Sequence, residues 1–360
     1  MVFGSILNQE SFSPALDFNN VPWIDNLNLR TTVRAPIYAG GRRLAARDAA
    51  IAAGGAAKHQ AEAVRNDLSF HVARAFFDIL KAKALVRATD AATDAFEQNL
   101  EIAKHRFAAG TLLKQQLLDV EVGLAQVQEQ RLRAHNAQAL AQHALVNIMG
   151  LEQDGIIEIE DDPWSTGTDV NSTANERPEL LALQQGTVAS DAALKAARAD
   201  RWPSLAAFGS LMFDHGFRQD NNGMSYLAGV ALQWSAFDGL ATRARVSQAE
   251  SLARTTREQL RQTRLALRFE LAQSRIHIRD ADERLEVTAK AITLAEESAA
   301  LGRARFEEGL AIATQLIDAE SALTAARLRH AEAEADRRVA IAALYRAMGK
   351  SIAVQPRSEP

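Results

Sequence analysis

Apolar side chains fall on alternate positions along residues 225 to 237. Tyr226, Ala228, Val230, Leu232 and Trp234 make one face, and Leu227, Gly229, Ala231 and Gln233 make a smaller, wetter one. Residues 24 to 38 repeat the pattern, with Leu27, Leu29, Thr31, Val33 and Ala35 alternating with Asn28, Arg30, Thr32 and Arg34. A weaker segment precedes each, at 4 to 16 and at 203 to 217. The polar run Gln219-Asp220-Asn221-Asn222-Gly223 supplies turn chemistry between the last pair. The pattern predicts two strand pairs, four strands in all.

After Gly40-Gly41 and after Gly239 the apolar period changes from that of a strand to that of a helix. Proline is absent from 42 to 105 and from 240 to 304, so each stretch predicts one helix that rises on the order of 95 Å. Val287, Ala291, Leu294, Ser298 and Leu301 keep a three-four spacing, as do Leu316, Ala319, Leu323 and Ala326. That spacing predicts narrow seams between packed helices. Gly110 and Gly309 mark hairpins, beyond which helices are expected over 112 to 149 and 311 to 348. Arg106 and Arg305 put positive charge at the negative ends of the preceding helices. Pro178 suits the first turn of a further helix, 178 to 201.

One shift, of 199 residues, relates the halves. RFAAGTLLKQQLLDVEVGL, 106 to 124, overlays RFEEGLAIATQLIDAESAL, 305 to 323, with eight of nineteen columns identical. Those columns include Arg106/Arg305, Phe107/Phe306, Gly110/Gly309, Gln116/Gln315, Asp119/Asp318 and Glu121/Glu320. The shift also carries the apolar face of one strand onto that of the other, where a slip of one residue would invert every side chain. The domain reading is a first repeat over 1-150 and a polar connection over 151-176. A second repeat spans 177-350, and a tail 351-360 follows. The predicted fold class is α+β, with very long antiparallel α-helical hairpins and four β-strands.

Strand pair, long helix, glycine hairpin and returning helix, twice over, resemble the TolC-like outer-membrane efflux protein family across nearly the whole chain. The likeness is carried by RFAAGTLLKQQLLD and RFEEGLAIATQLID, by the junctions APIYAGGRR and WSAFDGLATRAR, and by RPELLALQQGTVASDAALKAARADRWPSL. The resemblance implies a homotrimer in which each chain gives four strands to one transmembrane β-barrel in outer-membrane lipid, with the helices forming a hollow α-barrel across the periplasm. It implies a passive exit duct for efflux or type I secretion. The partners would be a periplasmic adaptor, also called a membrane fusion protein, and an inner-membrane pump or ABC exporter. Arg106, Gly110, Arg305 and Gly309 match the family's periplasmic tips, where the adaptor docks. Many members carry acidic residues six and nine positions after the second hairpin glycine to line the aperture. Here those positions are Gln315 and Asp318, with Gln116 and Asp119 in the first copy.

Several chemistries are excluded. Cysteine is absent, so disulfides, thiolate zinc sites and catalytic thiols are impossible. The net charge of -4 gives no general attraction for nucleic acid. The eight histidines show no metal-ligand spacing, and Gly349-Lys350-Ser351 lacks the glycine and strand of a phosphate loop. No catalytic residue, cofactor or metal is expected, and the chain is not expected to be an enzyme. Seventy alanines suit long helices, because alanine fixes a helix at the least side-chain entropy. No run of eighteen apolar residues offers a membrane-spanning helix, although strands of a barrel need none.

Each candidate residue has a plainer reading beside the functional one. Asp119 and Asp318 line the aperture or sit on a solvated helix face. Arg106 and Arg305 contact an adaptor, link helices or stabilise helix ends. Phe107 and Phe306 are expected to pack under the hairpins. Trp23, Tyr226 and Trp234 anchor the barrel at the lipid interface or pack within the strands. The rival for the whole chain is a non-conducting helical scaffold or a degenerate truncated paralogue, and the alternating strands speak against it. Met1 falls opposite Asp200 at the repeat shift, and the first twenty residues lack the pattern of a signal peptide. The start is therefore expected to be N-terminally truncated.

Overall fold

The computed structural model describes residues 26–152, 159, 177–216 and 222–350. The strand expected at 4 to 16, Trp23, most of the 151-176 connection and the 351-360 tail lie outside the described residues. In chain order the elements are β1 (Asn26–Ala39), α1 (Arg42–Ala108), α2 (Lys114–Ile148), α3 (Pro178–Ala199), β2 (Ser204–Gly216), β3 (Asn222–Gln233), α4 (Ala241–Glu307) and α5 (Ala313–Ala347). The fold is mostly helical with a small antiparallel sheet. Helices α1 and α4 both have 67 residues, α2 and α5 both have 35, and every corresponding end is offset by 199. The described residues fall into two compact units. One holds the residues up to Ala49 with Ser190–Ala253, and the other holds Ala50–Ala189 with the residues from Arg254 on.

The first unit contains the sheet, in the order β1-β2-β3. Leu29 pairs with Phe213, Thr31 with Leu211 and Ala35 with Ala207, while Leu211 pairs with Tyr226 and Ala207 with Val230. Directly opposed residues share a face, so the apolar alternations of all three strands merge into one apolar surface. No described residue covers it: Leu29, Val33, Tyr226, Val230 and Leu232 are all exposed. The opposite face is mixed, with Phe208, Met212 and Leu227 among Arg30, Thr32, Arg34, Ser210 and Ser225. There Asn28 donates a hydrogen bond to Asp214, and Arg30 Nη2 lies 3.4 Å from Met212 Sδ. Pro36 has no N–H for the ladder, and the register slips by one residue between Pro36 and Tyr38. Among the described residues, no strand pairs with the outer side of β1 or of β3.

The junctions of this unit are tight. Gly40 takes a φ of +58° where Ala199 O and Trp202 press against it. Asp238 accepts the backbone N–H of Thr242 at 2.8 Å and its hydroxyl at 2.6 Å, which satisfies an orphan donor at the entry to α4. These bonds from Thr242, hydroxyl first, hold the Asp238 carboxyl below its ordinary range. Asp200 receives Arg42 at 3.2 Å and Arg245 at 3.0 Å, tying the first turns of α1 and α4 to the end of α3.

The second unit is built from helices whose buried positions are filled largely by alanine, which lets α2 and α5 approach closely. Phe77, Ile79, Leu145 and Ala342 form one cluster, and Ile159 of the connecting segment is buried with them, its carbonyl accepting a hydrogen bond from Lys83. Phe96 packs with Ala92 and Val127 in another. Leu316, Leu323 and Ala326 are buried, as their spacing predicts. The other stripe is a correction. Val287, Leu294 and Leu301 are each more than half exposed and join no buried cluster among the described residues. No helix is long and apolar enough, among the described residues, to cross a membrane.

Charge ties the helices of this unit together. Arg346 on α5 pairs with Asp67 on α1 at 2.7 Å and with Glu270 on α4 at 3.0 Å. Glu270 also holds Arg177 at 3.1 Å, and Arg177 holds Glu179 in the first turn of α3 at 2.6 Å. Burial opposes the charge on Arg177, but the hydrogen bond to Glu179 and the Glu270 charge outweigh it and raise its pKa further. Burial likewise opposes ionisation of Glu179, yet the Arg177 guanidinium holds its carboxyl below the usual value.

Candidate functional site

The helix hairpins are the first part of the site. Helix α1 closes with Gly110 N–H on Phe107 O at 3.0 Å and Thr111 N–H on Arg106 O at 2.9 Å; α4 closes with Gly309 N–H on Phe306 O at 3.1 Å and Leu310 N–H on Arg305 O at 2.7 Å. This pattern needs a left-handed residue after the helix, and Gly110 and Gly309 take φ of +73° and +82°. Leu112, Val120, Phe306, Ala313 and Leu316 pack beneath the turns. Glycine and the apolar residues that follow it therefore bring two rigid tips together.

Arg106 joins them. Its guanidinium donates one hydrogen bond to the Phe306 carbonyl at the end of α4 and a second, at 3.3 Å, to Thr111 O. It also lies 5.0 Å from the centre of the Phe306 ring, a cation–π distance. The contact both links the two helices and places the Arg106 charge on a carbonyl at the end of α4. The matching residues of the other copy behave differently. Arg305 is exposed, and its side chain bonds to no described residue. Phe306 is fully buried, as expected, whereas Phe107 is 40% exposed and does not pack under its hairpin. The correction has a physical cause: the α1 and α4 tips meet side by side within one chain, so each offers its partner a different flank.

Gln116 and Asp119 are half-buried on the first turns of α2, while Gln315 and Asp318 are exposed on α5. Neither aspartate side chain has a partner among the described residues. Leu113, Leu310 and Ile312 are exposed beside them. On the sheet, Tyr226 is 83% exposed on the apolar face. Trp234 follows β3, and its Nε1 donates to Arg201 O at 3.4 Å.

Sequence reasoning missed a buried acid near the tips. Glu320 on α5 is 3% exposed, held by Arg303 Nε at 3.1 Å and Asn99 Nδ2 at 3.4 Å. Its repeat counterpart, Glu121, is exposed, and Lys104, the counterpart of Arg303, pairs instead with Glu101 at 2.8 Å. Identical letters conceal this asymmetry, and only the failure of Arg303 and Asn99 to repeat at 104 and 298 hints at it.

A helical body with paired glycine tips is joined in one chain to a sheet whose apolar face no described residue covers. The chain belongs to the outer membrane efflux protein family, whose model matches residues 10–151 and 170–350. Members of this family and the solved structures of this fold are channels, not enzymes. The chain is similar to the outer membrane protein VceC from Vibrio cholerae (19% identity, 95% of this chain and 84% of that one, TM-score 0.80). It is also similar to the CmeC outer membrane channel of Campylobacter jejuni (14% identity, 94% and 74%, TM-score 0.80). Among curated proteins it is 24% identical over 343 residues to Protein CyaE of Bordetella pertussis, covering 91% of this chain and 71% of that protein.

Proposed function

We propose that the protein is a passive exit duct: a homotrimer whose chains pool their strands in one outer-membrane β-barrel and whose helices continue as a tunnel into the periplasm. The observation that carries this reading is the sheet with one uncovered apolar face, one mixed and more polar face and no described strand beyond β1 or β3. An apolar face of this kind is stable against lipid, and an open edge is removed only by further strands. The exposed stripe of Val287, Leu294 and Leu301 on α4 asks for a neighbour in the same way. Equal helix lengths at a constant offset of 199 support an internal duplication, so that three chains would present six similar tips.

In this reading a periplasmic adaptor docks at the tips near Arg106, Gly110, Arg305 and Gly309. An inner-membrane pump or ABC exporter supplies the energy for efflux or type I secretion. Gln116, Asp119, Gln315 and Asp318 line the aperture, and Tyr226 and Trp234 sit at the lipid interface. Planar-bilayer recording on the detergent-extracted trimer tests it. Open channels are expected, and Asp318→Ala should lower their preference for cations. Unchanged selectivity would remove Asp318 from the aperture, whereas a monomer that needs no detergent and forms no channels would favour the scaffold reading.

A further inference from the structure

The contact from Arg106 to Phe306 has a counterpart that one chain leaves unmade. At the repeat offset of 199, Arg106 corresponds to Arg305, and Phe306 corresponds to Phe107. Within the chain the first arginine reaches the second phenylalanine, by a hydrogen bond to its carbonyl and by its ring at 5.0 Å. The reverse pair is unused among the described residues: Arg305 is exposed, its side chain bonding to none of them, and Phe107 is 40% exposed. The glycines repeat the difference. A Cβ on Gly309 would lie 3.2 Å from Arg106 Nη2, so Gly309 is the seat over which the guanidinium lies. A Cβ on Gly110 would meet nothing within 4 Å, so the matching seat is open.

We infer that Arg305 of one chain docks over Gly110 of a second copy, donating to the Phe107 carbonyl and stacking on the Phe107 ring. The tips then close into a ring held by alternating contacts of one design, Arg106 to Phe306 inside a chain and Arg305 to Phe107 between chains. The occupant is a second copy of this chain because Phe107 and Gly110 stand where Phe306 and Gly309 stand in the flank that Arg106 is already seen to fill, with Ala108 and Ala109 in place of Glu307 and Glu308. An exposed arginine and an exposed ring are each ordinary; their correspondence to a contact already made is what pairs them. This inference rests on the trimeric reading above.

The chain contains no cysteine, so a cysteine pair is a clean probe. Phe107→Cys and Arg305→Cys are combined in the full-length detergent-extracted protein and treated with a short bismaleimide. Both sites are exposed in the chain, so folding should be preserved, and maleimide labelling confirms that both thiols react. Non-specific amine crosslinking of the same preparation checks that trimers are present. The expected result is interchain dimers and trimers on denaturing gels, lost in each single-cysteine variant. Trimers without interchain cysteine crosslinks, or with an intrachain link only, would overturn the contact and leave the trimeric reading standing. A preparation with no trimer would overturn both.

Discussion

A Cβ on Gly40 would stand 2.9 Å from the Cβ of Trp202 and 2.8 Å from Ala199 O. The strand-to-helix junction therefore requires glycine twice over, for its φ of +58° and for space against backbone that cannot swing aside. Gly41, at φ +81°, has open space around it. Gly40→Ala should cost about 2–4 kcal/mol and Gly41→Ala about 1 kcal/mol. Denaturant unfolding of the detergent-solubilised protein, followed by circular dichroism, measures the difference, and equal costs would contradict the crowding at Trp202.

Leu240 adopts φ +70° in the position that Gly41 holds one repeat earlier, and its side chain is exposed. A left-handed leucine carries backbone strain without burial to offset it. Leu240→Gly should raise stability by about 0.5 kcal/mol, the released strain less the added freedom of the unfolded chain. Leu240→Val should lower it by about 1 kcal/mol, since β-branching aggravates the same clash. Shifts of melting temperature with these opposite signs are the expected readout.

Gly123 lies inside α2, where alanine would ordinarily be the better helix former by about 1 kcal/mol. Here an added Cβ would meet the buried Phe96 ring at 2.7 Å. Packing should win over propensity, so that Gly123→Ala destabilises by about 1–3 kcal/mol. Pairing it with Phe96→Leu, which opens the space, should recover part of the loss in a double-mutant cycle.

Glu179 contributes to stability through its ionised form, because Arg177 holds its carboxyl below the ordinary value of 4.5. The sign follows. The contribution is complete above pH 4.5 and disappears as the pH falls through the lowered folded value. Glu179→Gln should therefore cost about 1–2 kcal/mol at neutral pH, and the gap to the unmodified protein should close on acidification. A gap that stays constant across that range would assign the loss to packing.

The helical character of the chain was legible because alanine, an absence of proline and glycine at the turns all act locally. The alternation of Leu27 to Ala35 and of Tyr226 to Trp234 likewise marked two strands and their apolar faces, but not the order β1-β2-β3 that puts both faces on one side of the sheet. What could not be read was which member of a repeated pair is used. Arg106 and Arg305, or Glu121 and Glu320, are the same letters in similar local settings. Their roles diverge only when two tips meet and break the equivalence. The chain of Asp67, Arg346, Glu270 and Arg177 was hidden for a related reason, since its members come from four separated stretches of sequence and share no spacing.

Phe96 with Val127, and Asp90 with Arg131 at 2.6 Å, join α1 to α2 across short stretches of chain. Leu29 with Phe213 joins β1 to β2 across more than half the polypeptide. Closing so long a loop costs entropy before any strand contact rewards it, so the hairpins of helix are expected to form early and the sheet last.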